Sequence, residues 1–266
     1  MIAITPSAIL RRIRNPRYYG DMMGVVAPTD RDEWLTHLNE AKHLRIRLVK
    51  VSVSSNAIAQ PDSRDALRAL SLIRHCLRFN MMPVVSFVDR PDDPKGFGPN
   101  GFEWIKTAVW IGARIFEGWN FWDIAPDPHQ DVADMQLGLF AAVKAAAGVR
   151  ETIVLFAPPH KPSQDDLDAV AQCDSRSLHA CDALGLFNVI EGGLTSQVPP
   201  PSRPALRTWH THVEFGCEWR GSVDGFIRTW SNDHRSGPLI LRTPDGVELA
   251  SLVSPLSSLS CGSRTV

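Results

Sequence analysis

The sequence predicts an α/β fold, a (β/α)8 barrel in which the helices after strands six and seven are shortened or missing. Three observations lead there. Short apolar runs alternate with amphipathic helical stretches from Met22 to Gly192, the pattern of a parallel sheet with covering helices. Eight strand-like runs can be placed by Trp230. The length, 266 residues, suits a barrel, which typically needs about 250. We expect an irregular, basic arm over 1–20, one barrel domain over 21–255 and a flexible serine-rich tail over 256–266.

Each element has its own signal. The apolar run 22–27 closes at Pro28, as a buried strand does. Thr29 or Asp30 can cap a helix over 31–43, where Trp34, Leu35, Leu38 and Ala41 recur at helical spacing. Strand two spans 45–53. Asp62 or Ser63 caps a helix over 64–79 with a Leu67, Leu70, Ile73, Leu77 stripe, stopped by Asn80. Strand three (82–88) tolerates Pro83 near its start. The long Pro/Gly loop 89–100 leads to a helix over 101–111. Strand four begins at Arg114, a helix over 131–147 ends at Gly148, and strand five covers 151–157. Ser163 caps a helix over 164–173, and strand six covers 181–190. Four prolines between 194 and 204 leave no room there for an ordinary helix. Strand seven is 207–215, with Trp209, Thr211, Val213 and Phe215 on one face and His210, His212 and Glu214 on the other. Strand eight is 223–230.

Composition narrows the function classes. Hydrophobic residues make up 44%, enough for a large core, and the net charge of -1 gives no bulk field for nucleic acid or an anionic membrane. The five cysteines are odd in number and include no Cys-x-x-Cys pair, which argues against a disulfide framework or a zinc knuckle. The first charges follow a short apolar run, the wrong order for a signal peptide, and no run is long enough to span a bilayer. A cytoplasmic protein without cofactor or metal is expected.

In a β/α barrel the site lies at the C-terminal ends of the strands. That rule gathers Ser54, Asn56, Asp89, Asn120, Asp123, His160, Asn188, Glu191, Glu214 and Trp230 around one mouth, with Trp119 and His212 as further candidates to bind a ligand there. Aromatic rings, amides and carboxylates together suit a neutral polyol. A Gly-rich cradle with a lysine, as a phosphate would need, does not occur. A carbohydrate ligand is therefore expected, and the wall left bare by the missing helices would suit a protein partner.

Strand four reads Glu117-Gly-Trp-Asn-Phe-Trp-Asp123, and strand seven reads His212-Val-Glu-Phe-Gly216. In order and spacing over roughly 20–255, these motifs resemble those of the clan A glycoside hydrolases, retaining enzymes on a (β/α)8 barrel. The resemblance implies Glu214 as nucleophile, Asn120 as the residue that holds the sugar 2-hydroxyl, Asn188 at a histidine position and Trp230 as a stacking aromatic. It departs at the acid/base position, which is Phe121. Retaining hydrolysis needs two carboxyls about 5–5.5 Å apart. Asp123 and Glu191 are the candidate substitutes, and Glu117 lies deeper in its strand.

Two readings follow. One is a glycosidase using Glu214 and a displaced acid. The other is a catalytically inactive barrel that binds glycan or serves as a scaffold. A metal-dependent hydrolase would rest on His210, His212 and His160 alone.

Overall fold

The computed structural model describes residues 5–92, 98–120, 122–157, 159, 164–191, 194–195, 207–215, 230 and 236–242. The first element corrects the expected irregular arm. α1 (Pro6–Arg14) is a helix, with the Thr5 side chain accepting from the Ala8 N–H and proline in its first turn. Ile9, Leu10 and Ile13, one turn apart, are buried. They pack with Leu48, Met82 and Ile153, the first residues of three strands, and so plug the barrel floor.

The remaining order is β1 (Met23–Val26), α2 (Trp34–His43), β2 (Leu48–Val53), α3 (Ser55–Ile58), α4 (Arg64–Arg78), β3 (Met82–Phe87), α5 (Gly98–Ile111), β4 (Ile115–Trp119), α6 (His129–Ala147), β5 (Ile153–Phe156), α7 (Gln164–Cys173), β6 (Ala183–Glu191), β7 (Leu194–Thr195), β8 (Arg207–Phe215) and β9 (Ser236–Leu241). The sheet order is β5-β4-β3-β2-β1-β9-β8-β6-β7, and β5 also pairs with β6. Eight parallel strands therefore close on themselves, with β7 as a short antiparallel addition to β6. The (β/α)8 barrel expected from the sequence is the fold observed.

Two apolar layers hold it. An inner cluster fills the barrel with Leu48, Met82, Val84, Ile115, Leu155, Trp209 and Ile240 above α1. A larger outer cluster joins the strands' other faces to the helices. Gly24 shows how tight the inner layer is: a Cβ there would lie 2.7 Å from Leu48 Cβ and 3.0 Å from Ile240 Cγ1.

Several boundaries moved. α2 starts three residues late, at Trp34, with no side-chain cap; Asp30 instead accepts from the Asp32 N–H, which stabilises a turn before the helix. Ser63 caps α4 as expected, and Asn80 stops it with φ 61°. Of the expected strand 223–230 only Trp230 is among the described residues; the strand that pairs with both β8 and β1 and closes the barrel is Ser236–Leu241. It was hidden because Gly237 and Pro238 interrupt its apolar run, and the ladder to β8 skips at that point. Residues 196–206, 216–229 and 243–266 lie outside the described residues, and with them the expectations of missing helices, a bare wall and a tail. No helix among the described residues is long and apolar enough to cross a membrane.

Candidate functional site at the barrel mouth

β4 carries one residue more than β3 beside it, and β8 one more than β6 beside it. Between β3 and β4, Ser86 is level with Glu117 but Phe87 is level with Trp119, so Gly118 is the extra residue. Trp119 joins the outer cluster with Phe87, and alternation then turns Asn120 toward the barrel axis. Asn120 is 2% exposed, its N–H donates to the Phe87 carbonyl at 2.8 Å, and its side-chain Oδ1 has no partner among the described residues.

Gly118 is tightly packed against α6. A Cβ there would lie 2.6 Å from Gln136 Oε1, and Gln136 is buried and donates to the Ala180 carbonyl at 2.7 Å. Gly118→Ala is therefore expected to cost about 1–3 kcal/mol. A urea unfolding midpoint shifted by less than a few tenths of a molar would show that Gln136 swings aside freely.

On β8 the skip lies between His210 and Val213, which stand level with Leu239 and Leu241 on β9. Trp209 packs in the inner cluster, whereas Val213 packs in the outer one. Strict alternation would have put Glu214 on the face opposite Trp209, as the sequence suggested; the bulge reverses that and turns Glu214 inward. This corrects the expected faces of the strand. Glu214 is half-buried, and Arg242, just past the end of β9, donates to its Oε1 at 2.5 Å. Arg242 went unnoticed because nothing local marked it; only closure of the barrel sets it beside Glu214.

Below these two lies a buried polar layer. Lys50 on β2 faces Glu117 on β4, Nζ to Oε2 at 2.7 Å, an ion pair away from ideal hydrogen-bond geometry. The same ammonium donates to the Thr211 carbonyl at 3.1 Å, inside the β8 bulge. The hydroxyls of Ser86 and Thr211 are buried without partners among the described residues. Glu117 is fully buried and committed to Lys50, which removes it from contact with any ligand at the mouth. Lys50 was legible as a lone charge within the apolar run Leu48–Val53.

The other expected residues separate. Asp89 lies two residues past the end of β3, and its carboxylate accepts from the Ser54 hydroxyl at 2.5 Å and from the Ser55 N–H, so it secures the start of α3. Ser54 in turn caps α3 through the Ala57 N–H. Trp122 is core: it is fully buried, with its indole N–H on the Ala157 carbonyl. Trp230 was expected at the mouth and is elsewhere. It lies in the outer cluster, and its indole N–H donates to the Gly237 carbonyl at the start of β9, the floor end of that strand. Asn188 stands level with Val213, His212 with Phe187, and Glu191 ends β6. Asp123 lies in a short 3-10 turn after β4. The side chains of Asp123, Asn188, Glu191 and His212, and all of Phe121 and His160, lie outside the described residues. Among the described residues no three His, Cys, Asp or Glu side chains gather as a metal site would need.

No family model matches the sequence, and no curated protein does. Solved structures do share the fold. A family 39 glycoside hydrolase from Bacteroides cellulosilyticus WH2 superposes with a TM-score of 0.63 at 11% identity, over 87% of this chain and 59% of that one. Fungal β-1,4-galactanases give 0.62 at 11% identity, over 91% and 93%. An exo-β-1,4-mannosidase from Opitutaceae bacterium strain TAV5 gives 0.53 at 13%, over 91% and 57%. This chain thus spans under two thirds of the first and third of these proteins. Identities this low establish the barrel and nothing finer.

Proposed function

We propose that the barrel mouth takes a carbohydrate between β4 and β8, with Glu214 as the group that meets the anomeric carbon. One observation carries this reading: two separate β-bulges turn Asn120 and Glu214 toward the same axis, at the end of the barrel where such folds hold their ligands. Asn120 offers a buried amide oxygen, unpartnered among the described residues, to accept from a sugar hydroxyl. Arg242 fixes the orientation of the Glu214 carboxylate.

The chemistry is displacement with retention. A carboxylate oxygen of Glu214 bonds to the anomeric carbon as the glycosidic C–O bond breaks, and the leaving oxygen takes a proton from an acid. Water then attacks the glycosyl ester and frees Glu214, giving up one proton. Asp123 and Glu191 are the candidate acids. Phe121 stands where the resemblance would put one, and Glu117 is sealed beneath. A second reading, a barrel that binds glycan without turning it over, is favoured by that same gap.

Activated aryl glycosides separate the two, because a phenolate leaves without a proton donor. We expect hydrolysis of at least one member of a panel of aryl glycosides. Glu214→Ala reduces it to background, and Arg242→Ala reduces it by about 10²-fold through loss of aim. Absence of turnover across the panel, together with binding of glycan to the wild-type protein that Asn120→Ala removes, would establish the binding reading instead. Turnover that survives in Glu214→Ala would overturn the nucleophile assignment.

A further inference from the structure

At the opposite end of the barrel from Glu214 is a cavity of about 250 Å³ lined by Arg12, Arg17, Tyr18, Asp21, Arg45 and Arg47. These residues come from three places: the last turn of α1, the link into β1, and the segment between α2 and β2. Four guanidiniums thus converge against one carboxylate in a chain whose net charge is only -1.

The one carboxylate is already engaged. Asp21 Oδ2 accepts from the N–H groups of Arg17 and Tyr18 at 3.0 and 3.1 Å, and Oδ1 lies 3.6 Å from Arg47 Nε. Its work is to fold the Arg17–Tyr18 turn and hold Arg47. Arg12, Arg17 and Arg45 form no ion pair among the described residues. Arg12 does oppose the C-terminal dipole of α1, a role that requires only one of the helix's three closing arginines.

Two details show cost being spent here. Arg45 has φ 60°, a left-handed backbone that a residue with a Cβ seldom adopts, and this sets its guanidinium over the Tyr18 ring at 5.3 Å. Arg47 Nε is buried with no hydrogen-bond partner among the described residues. Burial first, and then the charges of Arg12 and Arg45, push the Arg47 pKa down against the pull of Asp21. An anion in the cavity would give Arg47 Nε an acceptor and offset the crowding of positive charge around it.

We propose that this floor cavity is a binding site for a compact phosphate-bearing small molecule. Guanidinium forks match phosphate oxygens two at a time, and four of them exceed what a single carboxylate could use. The Tyr18 ring, half open and already stacked on one side of the site, provides a flat wall for whatever the phosphate esterifies. The proposal uses nothing at the mouth.

The test is titration calorimetry of the full chain with inorganic phosphate and with pyrophosphate, at constant ionic strength set by chloride. Saturable one-to-one binding is expected, tighter for pyrophosphate. Arg12→Gln with Arg45→Gln should raise the pyrophosphate Kd at least tenfold with an unchanged circular dichroism spectrum. Arg45→Gly is the second variant: glycine accepts φ 60° without strain, so it should weaken binding several-fold while holding or raising the melting temperature. Absence of saturation with either anion overturns the proposal, as do Kd values unchanged in both variants. Capture of a single-stranded oligonucleotide with none of pyrophosphate would also overturn it, and would identify a nucleic-acid surface instead.

Discussion

Lys50→Met is expected to destabilise the folded protein by about 3–5 kcal/mol, because it strands a carboxylate in the barrel's interior. Glu117 is fully buried and Lys50 nearly so, and their separation is 2.7 Å. Burying a charge without a partner is among the costliest single defects in a fold. The pair as a whole need not add stability, since taking both ions out of water costs about as much as their attraction returns. Lys50→Met combined with Glu117→Leu should therefore be more stable than Lys50→Met alone. Guanidinium unfolding followed by tryptophan fluorescence measures all three. A loss below about 1 kcal/mol in the single variant would mean that water or another donor reaches Glu117.

The same pair bears on the mouth. Lys50 donates to the Thr211 carbonyl within the bulge that turns Glu214 inward. In the double variant the charge defect is gone, but that donor is gone too. If the pair has a role in the proposed site, the double variant keeps its fold and loses aim at Glu214, which separates a positioning effect from a folding one.

The second large effect is at the floor. Leu10→Ala is expected to cost about 2–5 kcal/mol, the range for emptying a buried leucine site. Leu10 is fully buried between Ile9 and Ile13 of α1 and the first residues of the strands above. A peripheral arm would tolerate the change, so a loss under about 0.5 kcal/mol would return residues 6–14 to the status of a loose extension. α1 also carries Arg12 toward the floor cavity, so the variant should weaken any pyrophosphate binding along with stability.

The alternation of apolar runs and amphipathic helices was enough to determine the barrel, and most element boundaries fell within a few residues of those expected. Periodicity is a local property, and β1 through β6 are built from local runs. α1 was missed because its apolar face is only three residues wide, framed by arginines; its helical state depends on burying those three under the sheet. β9 was missed because Pro238 and Gly237 weaken its local signal, and its place is secured by pairing with β1 and β8, distant in the chain. Glu214 and Asn120 could be picked out by residue type and motif. Where they point could not, because a bulge is a mismatch between two strands and neither strand contains that information alone. Arg242 beside Glu214, Lys50 against Glu117, and the four arginines of the floor belong to the same class. The sequence by itself determined which segments become strands and helices, through their own periodic burial. Only the tertiary structure decided which charges meet, because a closed barrel sets side by side residues that the chain keeps dozens of positions apart.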